Sequence, residues 1–148
     1  MSKKVLIVDD EPSIIVALQF LMEQNGYETL VAFSGEEAME TIARQHSDLI
    51  LLDIMLPVVD GFEVCQRVRE NSEWKDIRIV LVTALGSEAN AAKGLALGAD
   101  AYITKPFANA DLVAKVKELI PRDRDKPGMT QTRCVITGTG AAGHLKPC

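Results

Sequence analysis

Val5-Leu6-Ile7-Val8-Asp9-Asp10-Glu11-Pro12 is the stretch on which the fold turns. Four consecutive apolar residues offer no polar face, so the run suits a strand covered by helices on both sides, as central parallel strands are. Asp9 and Asp10 stop the run abruptly, and Pro12 suits the first turn of a helix. Ile14, Ala17, Leu18, Leu21 and Met22 then recur at helical spacing as far as Asn25-Gly26, a helix-ending pair. The opening is therefore a strand followed directly by a helix.

The same alternation continues outward. Thr29–Ala32 is a second strand candidate, and Ser34-Gly35-Glu36-Glu37 forms a capping box that opens a helix running to about Gln45. Leu49-Ile50-Leu51-Leu52 is another run apolar on both faces. Phe62 to Glu70 reads as a helix, with Phe62, Cys65 and Val68 or Val64 turned inward. Ile79–Val82 is a fourth strand, and Ser87 caps a helix through Leu97, stopped by Gly98. Ala101–Ile103 is a short fifth strand, and Asn109 is placed to cap a last helix carrying Leu112, Val113, Val116, Leu119 and Ile120. Strand and helix alternate five times, which specifies an α/β fold with a doubly wound, five-stranded parallel sheet and five helices.

Composition agrees with a globular chain of one domain and an extension. The 148 residues are 47% hydrophobic and 25% charged, with 16 basic against 21 acidic side chains. Residues 1–120 carry 19 acids against 11 bases, while residues 121–148 carry 2 against 5. An acidic body disfavours direct nucleic-acid binding, which needs cationic surface to displace counterions. No run approaches the ~20 apolar residues of a membrane span. Cys65, Cys134 and Cys148 form no C-x-x-C pair, so neither a disulfide framework nor a zinc site is indicated, and a cytoplasmic location is expected. Pro121 ends the last helical pattern. Residues 1–121 are read as the domain, and 122–148 as a linker stub or appended tail, poorly ordered.

The chemistry gathers at strand ends. Asp9 and Asp10 follow the first strand, Asp53 the third, Thr83 the fourth, and Lys105 comes two residues after the fifth. In open α/β sheets, sites form at the carboxyl ends of strands. Each residue alone has a plainer reading. Asp9-Asp10-Glu11 could be helix capping, Asp53 could open a turn, and Lys105 could be a solvated charge. Their joint placement points to a site. Three carboxylates in one cleft repel, and a divalent cation relieves this; an all-oxygen ligand set suits Mg²⁺. A carboxylate beside a hard cation, an ammonium and a hydroxyl has the parts of a phosphoryl acceptor.

Asp53-Ile54-Met55-Leu56-Pro57-Val58-Val59-Asp60-Gly61 resembles the phosphoacceptor segment of bacterial response-regulator receiver domains. Val8-Asp9-Asp10-Glu11, Val82-Thr83-Ala84 and Tyr102-Ile103-Thr104-Lys105-Pro106-Phe107 are similar to the other family blocks, in order, over residues 4–120. The resemblance implies a flavodoxin-like strand order 2-1-3-4-5, with strands 1 and 3 side by side. It implies that Asp53 is the nucleophile taking phosphoryl from a partner histidine kinase or phosphotransfer protein. Asp10, Asp53 and the Met55 carbonyl would bind Mg²⁺, with Asp9 acting through water. Lys105 would contact the phosphoryl group and Asp53, and the bond to Pro106 would be cis. Thr83 and Tyr102 would form the switch, and the face near residues 88–120 (the fourth helix, fifth strand and fifth helix) would signal to a downstream effector or output domain. Phosphorylation would then shift a two-state equilibrium, at a cost of about 5.5 kcal/mol of differential interaction for a full 1:99 to 99:1 change. In the family, the side chains two past the acceptor and two past the Thr flank the hydrolytic water. Here they are Met55 and Leu85, which cannot orient water, so self-dephosphorylation should be slow. Some DNA-binding relatives pair through two acids before the strand-5 aromatic. Asp100-Ala101-Tyr102 keeps one, alongside Asp111 and Lys115, so the expected state is a monomer or a weak phosphorylation-dependent dimer.

Several rival readings compete. A metal-dependent phosphatase with Asp53 as nucleophile would want a second acid two residues on, where Met55 stands. A flavin carrier would want a phosphate-binding loop after the first strand, where Asp9-Asp10-Glu11 would repel phosphate. A scaffold receiver acting without phosphorylation would not need Asp53, Thr83 and Lys105 together. Gly138-Thr139-Gly140-Ala141-Ala142-Gly143 has a dinucleotide-loop spacing, but His144–Cys148 supply neither the helix nor the acid that motif requires. Cys134, His144 and Cys148 match no metal-site spacing. The expectation is a stand-alone receiver or one drawn from a longer protein.

Overall fold

The computed structural model describes residues 3–121. In chain order these form β1 (Lys4–Val8), α1 (Pro12–Gln24), β2 (Glu28–Ala32), α2 (Gly35–Arg44), β3 (Leu49–Leu52), α3 (Gly61–Glu70), a 3-10 turn (Ser72–Trp74), β4 (Arg78–Thr83), α4 (Glu88–Ala96), β5 (Ala101–Thr104) and α5 (Asn109–Leu119). The strands make one parallel sheet in the order β2-β1-β3-β4-β5. This is the doubly wound order expected from the family blocks. The segment 122–148, with its glycine motif, Cys134, His144 and Cys148, lies outside the described residues.

Alternation along the strands divides the core into two layers. Leu6, Val8, Ile50, Leu52, Ile79 and Leu81 face Ala38 and Ile42 of α2 and Val64, Cys65 and Val68 of α3. Val5, Ile7, Leu49, Leu51, Val80 and Val82 face Ile15, Leu18 and Met22 of α1 and Leu112 and Val116 of α5. All four β3 side chains are buried, as the apolar run required. Fully burying each such Leu or Ile stabilises by roughly 1.5–3 kcal/mol, so the central strands are fixed more firmly than any loop they carry. The Cys65 thiol lies inside this core, where burial pushes its pKa up to about 11; it is a packing group, not a reactive one.

Two local expectations need correction, and the alternative reading of Glu11 as a cap fails. Asn109 does not cap α5. It is the first helical residue, and Ala108 holds the capping position without a side-chain bond. Glu11 precedes α1 and also makes no side-chain cap; Asp9 Oδ1 instead accepts the Glu11 amide at 2.9 Å. In α2 the Ser34 hydroxyl accepts the Glu37 amide as expected, but Glu37 reaches back one residue further, to the amide of Phe33.

The 3-10 turn was not legible in the sequence, nor was the network that anchors it. Arg69 on α3 donates Nε to the Gly98 carbonyl at 2.8 Å, Nη1 to the Ile77 carbonyl at 2.7 Å and Nη2 to Asp100 Oδ2 at 2.9 Å. Asp100 also accepts the Ile79 amide. One half-buried guanidinium thus ties α3 to the entrances of β4 and β5, satisfying carbonyls that would otherwise be stranded.

Candidate functional site

The sheet ladder continues past the strands and carries the site residues with it. The Asp9 amide donates to the Ala32 carbonyl at 3.2 Å, the Asp53 amide to the Val8 carbonyl at 3.0 Å, and the Lys105 amide to the Thr83 carbonyl at 2.8 Å. These three residues are each pinned to a neighbouring strand by their own backbone. Thr83 is the last residue of β4 and pairs with Thr104, which lengthens β5 by one residue beyond the sequence reading and sets Lys105 directly after it.

Asp9, Asp10 and Asp53 come together at this edge. Each offers a carboxylate oxygen lying within 4.8 Å of the others. Asp9 and Asp53 are buried and Asp10 is exposed. Lys105 Nζ donates to Asp9 Oδ2 at 2.9 Å and to Asp53 Oδ2 at 3.4 Å. The other Asp53 oxygen, Oδ1, accepts the Met55 amide at 3.1 Å, so the carboxylate is held from both sides. Burial pushes the Asp9 pKa above the ordinary carboxylate value, against the lowering effect of its Lys105 hydrogen bond. Burial pulls on Lys105 the other way, but the bond to Asp9 and the charges of Asp53 and Asp9 outweigh it and raise its pKa. The ammonium therefore stays charged.

Thr83 is fully buried, and its Oγ1 accepts the Leu85 amide at 3.3 Å. The Leu85 carbonyl accepts the Tyr102 hydroxyl. One peptide segment thus joins the two residues expected to form the switch, a link that nothing local in the sequence marks. Burial also raises the Tyr102 pKa. The Lys105-Pro106 peptide bond is cis. The Met55 side chain is 54% exposed and apolar, so it supplies none of the acid-base function that a phosphatase of this design would need.

The donor set fits a hard divalent cation. All three ligand groups are carboxylates, and one ammonium leaves their combined charge uncompensated. Oxygen-only coordination with one or two protein carboxylates and retained waters is the pattern of Mg²⁺.

A model of the response regulator receiver domain family matches residues 5–117. The chain belongs to this family. Receiver domains are parts of two-component systems; they generally hold Mg²⁺ at an acidic pocket, take phosphoryl groups from histidine kinases and signal to output domains. The chain is 43% identical over 147 residues to the alkaline phosphatase synthesis transcriptional regulatory protein PhoP of Bacillus subtilis. That match takes in 99% of the chain but only 60% of PhoP, so the receiver chain spans well under the full length of this curated relative. Among solved structures, a putative response regulator from Chloroflexus aurantiacus superposes with a TM-score of 0.78 at 35% identity, covering 82% of this chain and 100% of that one. The chemotaxis protein CheY4 of Vibrio cholerae gives 0.77 at 32% identity, covering 81% and 100%. Among the described residues, no helix of this receiver is long and apolar enough to cross a membrane.

Proposed function

We propose that this receiver is a phosphorylation-dependent signalling switch in which Asp53 accepts a phosphoryl group from a phosphohistidine on a partner histidine kinase or phosphotransfer protein. The observation that carries this reading is the Asp53 carboxylate, gathered with two further acids and faced by the Lys105 ammonium at 3.4 Å. An Asp53 oxygen attacks phosphorus, the P–N bond to the donor imidazole breaks, and the freed nitrogen keeps the electron pair. Asp10, Asp53 and the Met55 carbonyl would hold Mg²⁺, with Asp9 acting through water. Bound there, the ion would offset charge on the phosphoryl oxygens. Lys105 supplies a second positive charge, and Thr83 offers its hydroxyl to a phosphoryl oxygen.

The switch follows from the Leu85 segment. When the Thr83 hydroxyl turns toward a phosphoryl oxygen, the Leu85 amide loses its acceptor, and the carbonyl that Tyr102 holds moves with it. The readout face is α4-β5-α5, near residues 88–120, which meets an effector or output domain. The name of the PhoP relative favours an output acting on transcription. Residues 1–121 form the receiver unit, residues 122–148 are a linker stub or an appended tail, and the protein works in the cytoplasm as a monomer or a weak phosphorylation-dependent dimer.

The test is incubation of the chain with acetyl phosphate and Mg²⁺, followed by intact mass. One phosphoryl group is expected on the wild type and none on Asp53→Asn. Equal labelling of both proteins would overturn the assignment.

A further inference from the structure

We propose that Gly61 is a positioning residue for Asp53, because the first residue of α3 is pressed against the acceptor's own peptide and only a residue without a side chain fits there. This inference rests on the reading of Asp53 as phosphoacceptor and adds a residue to its machinery. A Cβ on Gly61 would lie 2.5 Å from the Asp53 carbonyl oxygen, 2.6 Å from the Ile54 Cα and 3.0 Å from the Asp53 carbonyl carbon. All three are backbone atoms, so no flexible side chain can swing aside. The Gly61 amide also donates to the Ile54 carbonyl at 3.0 Å, which holds the contact closed.

What would yield is decided by the surroundings. Before the contact stands β3, with all four side chains buried and both neighbouring strands paired to it. After it stands α3, whose Phe62, Val64, Cys65 and Val68 are buried and whose N-cap, Asp60, accepts the Glu63 amide at 2.9 Å. Close-packed interiors transmit displacement instead of absorbing it. The contacted atoms belong to Asp53 and Ile54 themselves, so the displacement falls first on the segment 53–55, which carries the acceptor carboxylate and the Met55 amide that fixes Oδ1. Ordinary carbon contacts begin near about 3.5 Å, so a methyl group at position 61 drives this segment outward by about 0.5–1 Å. A misplacement of that size at a reacting group costs up to about 100-fold in rate.

Gly35 provides an internal control. A Cβ there would lie 2.3 Å from the Val59 carbonyl oxygen, an even tighter clash further along the same loop, and its three nearest atoms all belong to Val59, none to residues 53–55. A generally disturbed loop would respond to either substitution, whereas a displaced acceptor responds to one.

The experiment compares full-length wild type, Gly61→Ala, Gly35→Ala and Asp53→Asn. Acetyl phosphate labelling is followed by intact mass, MgCl₂ affinity by calorimetry, and folding by thermal melt. For Gly61→Ala the expected result is a labelling rate lowered by roughly 10–100-fold, with weaker Mg²⁺ binding in a folded protein. Gly35→Ala should stay close to wild type on both readouts. A Gly61→Ala protein with wild-type rate and affinity overturns the proposal, as does Gly35→Ala falling equally far. Absence of labelling on the wild type removes the acceptor reading but not the positioning role, which the Mg²⁺ affinities then test alone. If Gly61→Ala does not fold, the amide resonances of the wild type decide. On MgCl₂ titration Gly61 should shift together with Met55 while Gly35 stays still, and a stationary Gly61 overturns the proposal.

Discussion

Lys105 Nζ stands closer to Asp9 than to Asp53, at 2.9 Å against 3.4 Å. The residue expected to face the acceptor is thus shared with the most deeply buried acid of the cluster, and in the absence of a cation it is the pocket's own counter-charge.

Removing that charge should alter metal binding and phosphoryl transfer in opposite directions. In Lys105→Met the three carboxylates face an incoming cation without a competing ammonium. Relief of one contact repulsion, at least about 1 kcal/mol even in water-like surroundings, tightens MgCl₂ affinity by about fivefold or more. Labelling by acetyl phosphate should slow in the same protein. Calorimetry and intact mass read the two effects, and weaker Mg²⁺ binding would contradict the shared-charge account.

The raised pKa of Asp9 makes a second prediction, for metal-free protein in chelator. The folded chain holds the Asp9 proton more tightly than the unfolded chain, so folding takes up protons above the ordinary value of 3.8. Stability therefore falls as pH rises through this window, and ionised Asp9 is a standing cost at pH 7. Asp9→Asn should unfold at higher urea concentration than wild type at pH 7, with the difference vanishing below pH 3.8. Lys105 has the same sense at higher pH: its raised pKa contributes stability below 10.5 that is lost as pH climbs through the folded value.

Val58 should be a site of removable strain. It is a β-branched residue at φ 68°, and it is 86% exposed, so its side chain gains little burial in return. The Val59 amide closes a tight turn around it onto the Pro57 carbonyl at 2.8 Å. Such strain is worth about 1–3 kcal/mol, of which glycine returns about 0.4–1 kcal/mol through the freer unfolded chain. Val58→Gly is expected to gain about 1 kcal/mol, seen as a higher melting temperature. A lower one would mean that the valine side chain contributes packing which its exposure belies.

Met55 and Leu85 bear on the lifetime of the signal. Both are apolar, one more than half exposed and the other beside the Thr83 hydroxyl, so neither orders an attacking water. The isolated phosphorylated chain should lose its phosphoryl group over minutes or longer, and Met55→Gln should shorten that time. Loss within seconds in the wild type, followed by intact mass, would refute this.

The strands were legible because Leu49–Leu52 and Ile79–Val82 are apolar on both faces, and only a sandwiched strand uses such a run. Asp9, Asp53 and Lys105 were legible because they sit at the ends of those runs, where the topology leaves them nowhere else to go. What escaped the sequence depends on three-dimensional neighbours. Arg69 and Asp100 are 31 positions apart, and nothing local marks them as partners. The close approach of Gly61 to Asp53 is visible only when a side chain is imagined on it. Asn109 looked like a cap because its side chain suits one, yet the packing of Leu112 and Val116 starts the helix one residue earlier and leaves Ala108 in that place.

Asp9 and Lys105 are 96 positions apart, and β5, which sets Lys105 in place, is the last strand in the sequence and an edge strand of the sheet. A copy still emerging from the ribosome already carries the three acids but not the ammonium that offsets them. The cluster is therefore electrostatically complete only once the final strand is in place, and a molecule lacking β5 holds its three acids without their counter-charge.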